Sequence, residues 1–116
     1  PLYTPRELEH QLKDSGAKAI FIIQNFAHVL QQVMAAVPTK KVILTELGDL
    51  LGFPKKLLVN YVVKNVKKMV PAFSLPGAVN FNDALTQGRG KRWAPAQSGL
   101  DDIAVLQYTG GTTGVS

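Results

Sequence analysis

The end of the chain combines glycine and threonine in a pattern that suits anion binding. Residues 108–116 are Tyr-Thr-Gly-Gly-Thr-Thr-Gly-Val-Ser, and they closely follow the apolar run of residues 103–106. Glycine lets the main chain approach an anion, so several backbone N–H groups can point at one phosphate. Threonine hydroxyls add donors and can reach a magnesium ion. The sequence therefore predicts a phosphate-binding loop that follows a strand.

The spacing does not fit the common nucleotide-binding P-loop. That loop has the form G-x-x-x-x-G-K-[ST], and its lysine supplies a full positive charge. Residues 108–116 contain no lysine. A standard P-loop ATPase or GTPase is therefore disfavoured. We expect a lysine and the start of a helix to follow Ser116, so that the loop is cut off within a longer protein.

Composition limits the other kinds of site. The chain has 116 residues, enough for one modest core, and it has no cysteine, which excludes disulfides and thiolate metal sites. His10 and His28 are expected to be surface or half-buried helix residues rather than metal ligands. No signal peptide is visible, and no run of 18 apolar residues could span a bilayer.

The elements that would position the loop alternate between helix and strand. Thr4, Pro5 and Glu7 predict a capped helix start, and Gly16 predicts its end. Residues 19–23 and 42–44 are short apolar runs that predict strands, the first covered on both faces as in a parallel sheet. Residues 26–37 show helical spacing between them. This order predicts an α/β fold, with at least three parallel strands and helices on the faces.

The second half of the chain is less regular. Residues 54–70 predict a mostly apolar helix, residues 71–79 a loop containing Pro76-Gly77, and residues 80–85 a short helix. A polar, basic loop over residues 87–98 and a third strand over residues 103–108 are expected to follow. Trp93 is interpreted as a loop anchor, and the pair Asp101-Asp102 as a turn or cap rather than as paired catalytic acids.

The formal net charge of +5 comes partly from a lysine cluster on the helix predicted for residues 54–70. A solvated helix face is the favoured interpretation. Contact with an anionic bilayer surface stays open, whereas nucleic-acid binding is disfavoured because no aromatic residues are interleaved with the charges. The side of the helix that carries the charge is formed by Lys56, Asn60, Lys64, Lys67 and Lys68, with Lys55 beside it.

The order of residues 108–114 resembles the adenylate-forming (AMP-binding) superfamily, whose loop has the form [YF]-T-[SG]-G-[ST]-T-G-x-[PSA]-K. Residues 106–115 look like bacterial long-chain fatty-acid–CoA ligases in particular. Residues 1–12, the Asp-Ser-Gly-Ala of residues 14–17 and the Asp-Ile-Ala of residues 102–104 agree with that resemblance. It covers most of the chain and is weaker between residues 45 and 98.

The resemblance implies an enzyme that activates a long-chain fatty acid with ATP, giving an acyl-adenylate and pyrophosphate, and then transfers the acyl group to coenzyme A. It implies magnesium as well, although which threonine meets the ion stays open. It assigns residues 1–116 to the N-terminal AMP-binding domain and residues 109–116 to its truncated phosphate loop. The phosphate ligands it implies are Thr109, Gly110, Gly111, Thr112, Thr113 and Gly114.

Several parts that such an enzyme needs do not occur in these residues. The family's Tyr-Gly-x-Thr-Glu motif, its ribose-binding aspartate and its C-terminal catalytic lysine are missing. We therefore expect an inactive fragment of a larger domain, which self-associates through uncovered apolar surface. The expected location is cytoplasmic, with peripheral contact at the inner membrane left open. The alternative is a non-catalytic α/β module that binds anionic membrane surfaces through its basic helix.

Overall fold

In a computed structural model of the chain, residues 3–37 and 41–108 are described. Four α-helices and three strands alternate within these residues. Their order is α1 (Pro5–Ser15), β1 (Ala19–Ile23), α2 (Ala27–Val33), β2 (Lys41–Thr45), α3 (Lys55–Tyr61), β3 (Val79–Asn80) and α4 (Phe81–Gly88). A 3₁₀ turn, Gln24–Phe26, leads into α2, and a π-helical turn, Val62–Val66, extends α3.

Helix α1 begins and ends as the sequence predicts. The Thr4 hydroxyl accepts a hydrogen bond from the Glu7 backbone N–H at 3.3 Å, and the Glu7 carboxylate accepts one from the Thr4 backbone N–H at 2.7 Å. These reciprocal bonds form the predicted capping box. The bond from the Thr4 backbone N–H lowers the pKa of Glu7 most, and a second bond, from the Thr4 hydroxyl to Oε2 of Glu7 at 2.8 Å, lowers it further. At the other end Gly16 has φ 61°, the left-handed conformation that ends a helix.

The three strands form one parallel sheet in the order β1-β2-β3. Ala19 pairs with Lys41 at one end of the β1–β2 ladder and Ile23 with Thr45 at the other, while Ile43 pairs with Val79. Parallel neighbours need a crossover connection, which α2 supplies between β1 and β2. The predicted α/β class is confirmed.

The core lies between one face of this sheet and the pair of helices α1 and α2. Helix periodicity places apolar side chains of both helices on the side that faces the strands, and the inward side chains of β2 complete the layer. The buried residues are Leu8, Leu12, Ala27, Leu30, Val33, Val37, Val42 and Leu44.

Strand β1 is covered on one face only, so the prediction of a strand covered on both faces is wrong. Ile20 and Ile22 pack against the core, whereas Phe21, which points to the opposite face, is 65% exposed. A continuous apolar run does not reveal how many faces of a strand are covered.

The predicted helix over residues 54–70 is shorter than its pattern. Regular helix begins at Lys55, and the π-helical turn ends at Val66. Lys68 then has φ 49°, a left-handed conformation that a helix cannot contain. The lysines and apolar residues that follow continue the apparent periodicity without continuing the helix.

The third strand lies elsewhere in the chain than predicted. Residues 103–108 have no regular secondary structure, with Ile103 78% exposed, so the strand prediction there is wrong. A strand exists only with a hydrogen-bonding neighbour, and no described strand pairs with this segment. Instead β3 follows the Pro76-Gly77 turn, in which Gly77 has φ 79° and the Ala78 N–H donates to the Leu75 carbonyl at 3.1 Å.

Candidate functional site

The predicted phosphate loop, Thr109 to Gly114, lies outside the described residues. The structure does describe the residue before it. Tyr108 is half-buried, and its hydroxyl donates a hydrogen bond to Oδ2 of Asp14 at 2.6 Å. This bond, followed by burial, raises the pKa of the Tyr108 phenol. The segment that leads to the loop is therefore attached to the last turn of α1.

A second polar site lies at the carboxyl end of β2, the edge of a parallel sheet where ligands usually bind. Its centre is Asp49, whose side chain is 7% exposed. Oδ2 of Asp49 accepts from the Glu46 backbone N–H at 2.8 Å and from the Thr45 hydroxyl at 3.3 Å. Its Oδ1 lies 3.4 Å from Nζ of Lys56 on α3. The buried carboxylate is thus paired and hydrogen-bonded.

Asn60 connects this site to the middle of α3. Its Oδ1 accepts from the Gly48 N–H at 2.7 Å, and its Nδ2 donates to Oε2 of Glu46 at 2.5 Å. The two halves of one amide therefore hold the loop after β2 against the helix. We name Thr45, Glu46, Gly48, Asp49, Lys56 and Asn60 the β2-edge cluster.

A cavity of about 170 Å³ adjoins the β2-edge cluster on the side of β3. Pockets for drug-sized ligands have volumes of roughly 300–1,000 Å³, so this cavity is too small for a nucleotide. Among residues 3–37 and 41–108, no three acidic, histidine or cysteine side chains could together hold a metal ion. The lining residues are Glu46, Asp49, Lys56, Asn80, Asn82 and Asp83.

The sequence interpretation missed the β2-edge cluster and misplaced two of its members. The predicted solvated side of the helix includes Lys56 and Asn60, but both are half-buried, and their side chains contact Asp49 and the loop after β2. Their partners are 7 to 14 positions away in the chain, so no local pattern reveals the contact. The usable signal was the polar run Thr45-Glu46 and Asp49 directly after a strand.

The other lysines of the predicted basic helix are exposed, and two of them, Lys67 and Lys68, follow its last helical residue, Val66. The surface here also contains exposed side chains of Leu57, Leu58 and Tyr61. The exposed lysines are Lys55, Lys64, Lys67 and Lys68. No helix within the described ranges is long and apolar enough to cross a bilayer.

The remaining sequence candidates occupy structural positions. His10 is exposed on α1, and His28 is half-buried on α2. Asp102 forms a turn, as predicted, because its Oδ2 accepts from the Gly99 N–H at 2.7 Å. Trp93 is 83% exposed, so the prediction that it anchors its loop is wrong.

The comparisons with known proteins agree with the resemblance of the glycine- and threonine-rich end. The family model for AMP-binding enzymes matches residues 1–116, and the chain belongs to that family. It is 53% identical over 116 residues to a Haemophilus influenzae protein named long-chain-fatty-acid–CoA ligase, and 52% identical to one of the same name from Salmonella typhimurium. Each match covers 100% of this chain and 21% of the relative.

A more distant relative has the same name. A Bacillus subtilis long-chain-fatty-acid–CoA ligase is 32% identical over 116 residues, covering 98% of this chain and 20% of its own. The chain thus spans about a fifth of the length of these relatives. The comparison with solved structures finds no significant match.

Proposed function

We propose that this chain supplies the phosphate-binding part of an ATP-dependent long-chain fatty-acid–CoA ligase. The observation that carries the proposal is the family match over all 116 residues, combined with the Tyr-Thr-Gly-Gly-Thr-Thr-Gly order of residues 108–114. In the proposed reaction the fatty-acid carboxylate attacks ATP to give an acyl-adenylate and pyrophosphate. The thiol of coenzyme A then displaces AMP to give the acyl-CoA.

The proposed phosphate ligands are the backbone and hydroxyl groups of residues 109–114. The donor set fits a triphosphate, because three glycines leave the backbone N–H groups accessible and three threonines add hydroxyls. Residues 109–116 contain no acidic side chain, so a threonine hydroxyl is the group that this segment would offer to a magnesium ion. A magnesium ion bound there would supply positive charge that stabilises the departing pyrophosphate. The loop's own contribution is electrostatic stabilisation of the same group.

Residues 1–116 form part of an N-terminal AMP-binding domain in this proposal, and the chain alone has no ligase activity. A direct test replaces the matching fifth of the Haemophilus influenzae protein with this chain. We expect this chimera to form acyl-CoA from a long-chain fatty acid, ATP and coenzyme A, and the isolated chain to form none. A well-folded chimera without activity, or an active isolated chain, would contradict the proposal.

A second candidate function is peripheral contact with an anionic membrane, placing the protein at the inner face of the cell membrane. The supporting observation is the composition of residues 50–82, which include five lysines and no acidic residue. Lys64, Lys67 and Lys68 are exposed beside Leu58, which is 66% exposed, and Tyr61. Basic residues bind anionic headgroups, and apolar side chains next to them insert into the membrane interface.

The membrane proposal is tested by sedimenting the chimera with vesicles of phosphatidylglycerol and phosphatidylethanolamine. Each lysine near such a surface contributes about 1 kcal/mol, so Lys64→Gln, Lys67→Gln and Lys68→Gln together should weaken binding by roughly 100-fold. The matched control changes Arg89, Lys91 and Arg92 to Gln, which removes the same charge from exposed residues elsewhere. Equal losses in both variants would indicate only nonspecific attraction.

We also propose that the isolated chain self-associates through the outer face of β1. This strand lies at one edge of the described sheet, where its outer backbone groups have no described strand as a neighbour. Its exposed Phe21 side chain adds apolar surface at the same place. Sedimentation velocity should show association that weakens in Phe21→Ser. Trp93→Ser is the control, since it removes an exposed aromatic residue from a loop. A monomer at all concentrations would exclude the proposal.

A further inference from the structure

The contact between Asp14 and Tyr108 joins two distant parts of the chain. The bonded residues are 94 positions apart, and the donor–acceptor distance is 2.6 Å. Residues 103–107 are exposed, and Tyr108 is the first residue of this segment to be half-buried. The segment is therefore held at the residue that directly precedes Thr109.

Helix α1, which carries Asp14, is held in place by its caps and by the core. Hydrogen bonds cap it at both ends, and the buried side chains of Leu8 and Leu12 pack its inner side. Asp14 itself does not favour the helix. Aspartate has a low helix propensity, and a negative charge in the last turn opposes the helix dipole. The helix therefore gives no reason for an aspartate at position 14, whereas the hydrogen bond to Tyr108 does.

We propose that Asp14 is a positioning residue for the phosphate loop, acting through the hydroxyl of Tyr108. This inference rests on the function proposed above, in which residues 109–114 bind the ATP phosphates. A loop rich in glycine loses much conformational entropy when it orders around an anion. When the residue before Thr109 is fixed on α1, part of that entropy is lost before ATP binds. The affinity for ATP is therefore higher.

Three variants change the hydrogen bond between Tyr108 and Asp14 in different ways. Tyr108→Phe keeps the ring and removes the donor, and Asp14→Ala removes the acceptor. Asp14→Asn keeps a carbonyl oxygen at the same position, so it can accept the same hydrogen bond without charge. Glu9→Gln is the matched control, because it neutralises a carboxylate on the same helix whose partner is Lys13.

The experiment measures KM for ATP and kcat for acyl-CoA formation in the chimera described above. We expect Asp14→Ala and Tyr108→Phe each to raise KM for ATP by roughly threefold to tenfold, a modest factor because the bond is accessible to water. The double variant should be no worse than either single one. Asp14→Asn should recover most of the loss, and Glu9→Gln should match the unchanged chimera.

The outcomes separate this inference from the proposed function. A merely structural role would lower the amount of active enzyme, and so kcat, with KM unchanged; that result overturns the inference. So does additivity of the two single substitutions. If the unchanged chimera makes no acyl-CoA, the proposed function fails. The inference then depends on the NMR amide signals of Thr109 and Gly110 in the chain, which must shift in Asp14→Ala and Tyr108→Phe but not in Glu9→Gln.

Discussion

The backbone N–H of Gly48 donates to the side-chain oxygen of Asn60 at 2.7 Å, and the two residues lie 12 positions apart. Gly48 is buried, so this bond satisfies a donor that water cannot reach. The same amide binds Glu46 through its nitrogen. The contact between Gly48 and Asn60 therefore fixes α3 against the carboxyl edge of the sheet.

Asn60→Ala is expected to destabilise the fold by about 1–3 kcal/mol, because it leaves the buried Gly48 N–H without a partner. Urea unfolding followed by circular dichroism measures this loss. Asn65→Ala is the control. The Asn65 side chain bonds only to the exposed Tyr61 carbonyl, and we expect a change within about 0.5 kcal/mol. Equal effects of the two substitutions would contradict the arrangement.

Gly48→Ala is expected to cost about 1–3 kcal/mol, because an added methyl group has no space. Its Cβ would lie 2.6 Å from Oδ1 of Asn60 and 3.0 Å from the Lys56 carbonyl oxygen. Gly52→Ala is a matched substitution in the same loop, where nothing lies within 4 Å of the added Cβ. Thermal unfolding should therefore show a lower midpoint for Gly48→Ala and an unchanged or slightly higher one for Gly52→Ala.

Thr4→Ala should lower the free energy of unfolding by about 1 kcal/mol, because it removes the side-chain cap of α1. Thr4→Ser keeps a hydroxyl that can accept from the Glu7 N–H, so its stability should stay close to that of the unchanged chain. Chemical unfolding of the three proteins measures the difference. A loss as large in Thr4→Ser as in Thr4→Ala would show that the cap is not the cause.

The capping box also predicts a dependence on pH. Hydrogen bonds from Thr4 hold the pKa of Glu7 below its usual value of 4.5 in the folded chain. A lowered folded pKa stabilises the fold above pH 4.5, and that stability is lost as the pH falls through the folded pKa. Carbon-13 titration of the Glu7 carboxyl should show the lowered pKa, and Thr4→Ala should return it only part of the way towards 4.5, because the backbone N–H of residue 4 remains a donor. A Glu7 pKa at or above 4.5 in the unchanged chain would contradict this assignment.

What the sequence could predict depended on how local the determining interactions are. The bonds that begin α1 lie within three residues of Thr4, and Gly16 ends the helix by its own conformation, so both were visible in the order of residues. Strands β1 and β2 were predicted because each is an uninterrupted apolar run.

The errors involve partners that are distant in the chain. Residues 103–108 have the composition of a strand but no neighbouring strand among the described residues, whereas β3 is too short, at two residues, to show a period. Asn60 falls on the predicted solvated face because its partners, Glu46 and Gly48, lie outside the helix and its periodicity gives no sign of them. The phosphate loop is proposed from residue order and from the family match, and Thr109 to Gly114 lie outside the described residues.

The central claim is that residues 109–114 bind the ATP phosphates during acyl adenylation. Fatty-acid-dependent exchange of labelled pyrophosphate into ATP measures that step in the chimera without coenzyme A. We expect exchange in the unchanged chimera, a loss of roughly 100-fold in Thr112→Val/Thr113→Val, and no loss in Thr86→Val, which changes an exposed threonine on α4. Undiminished exchange in the double variant would contradict the claim.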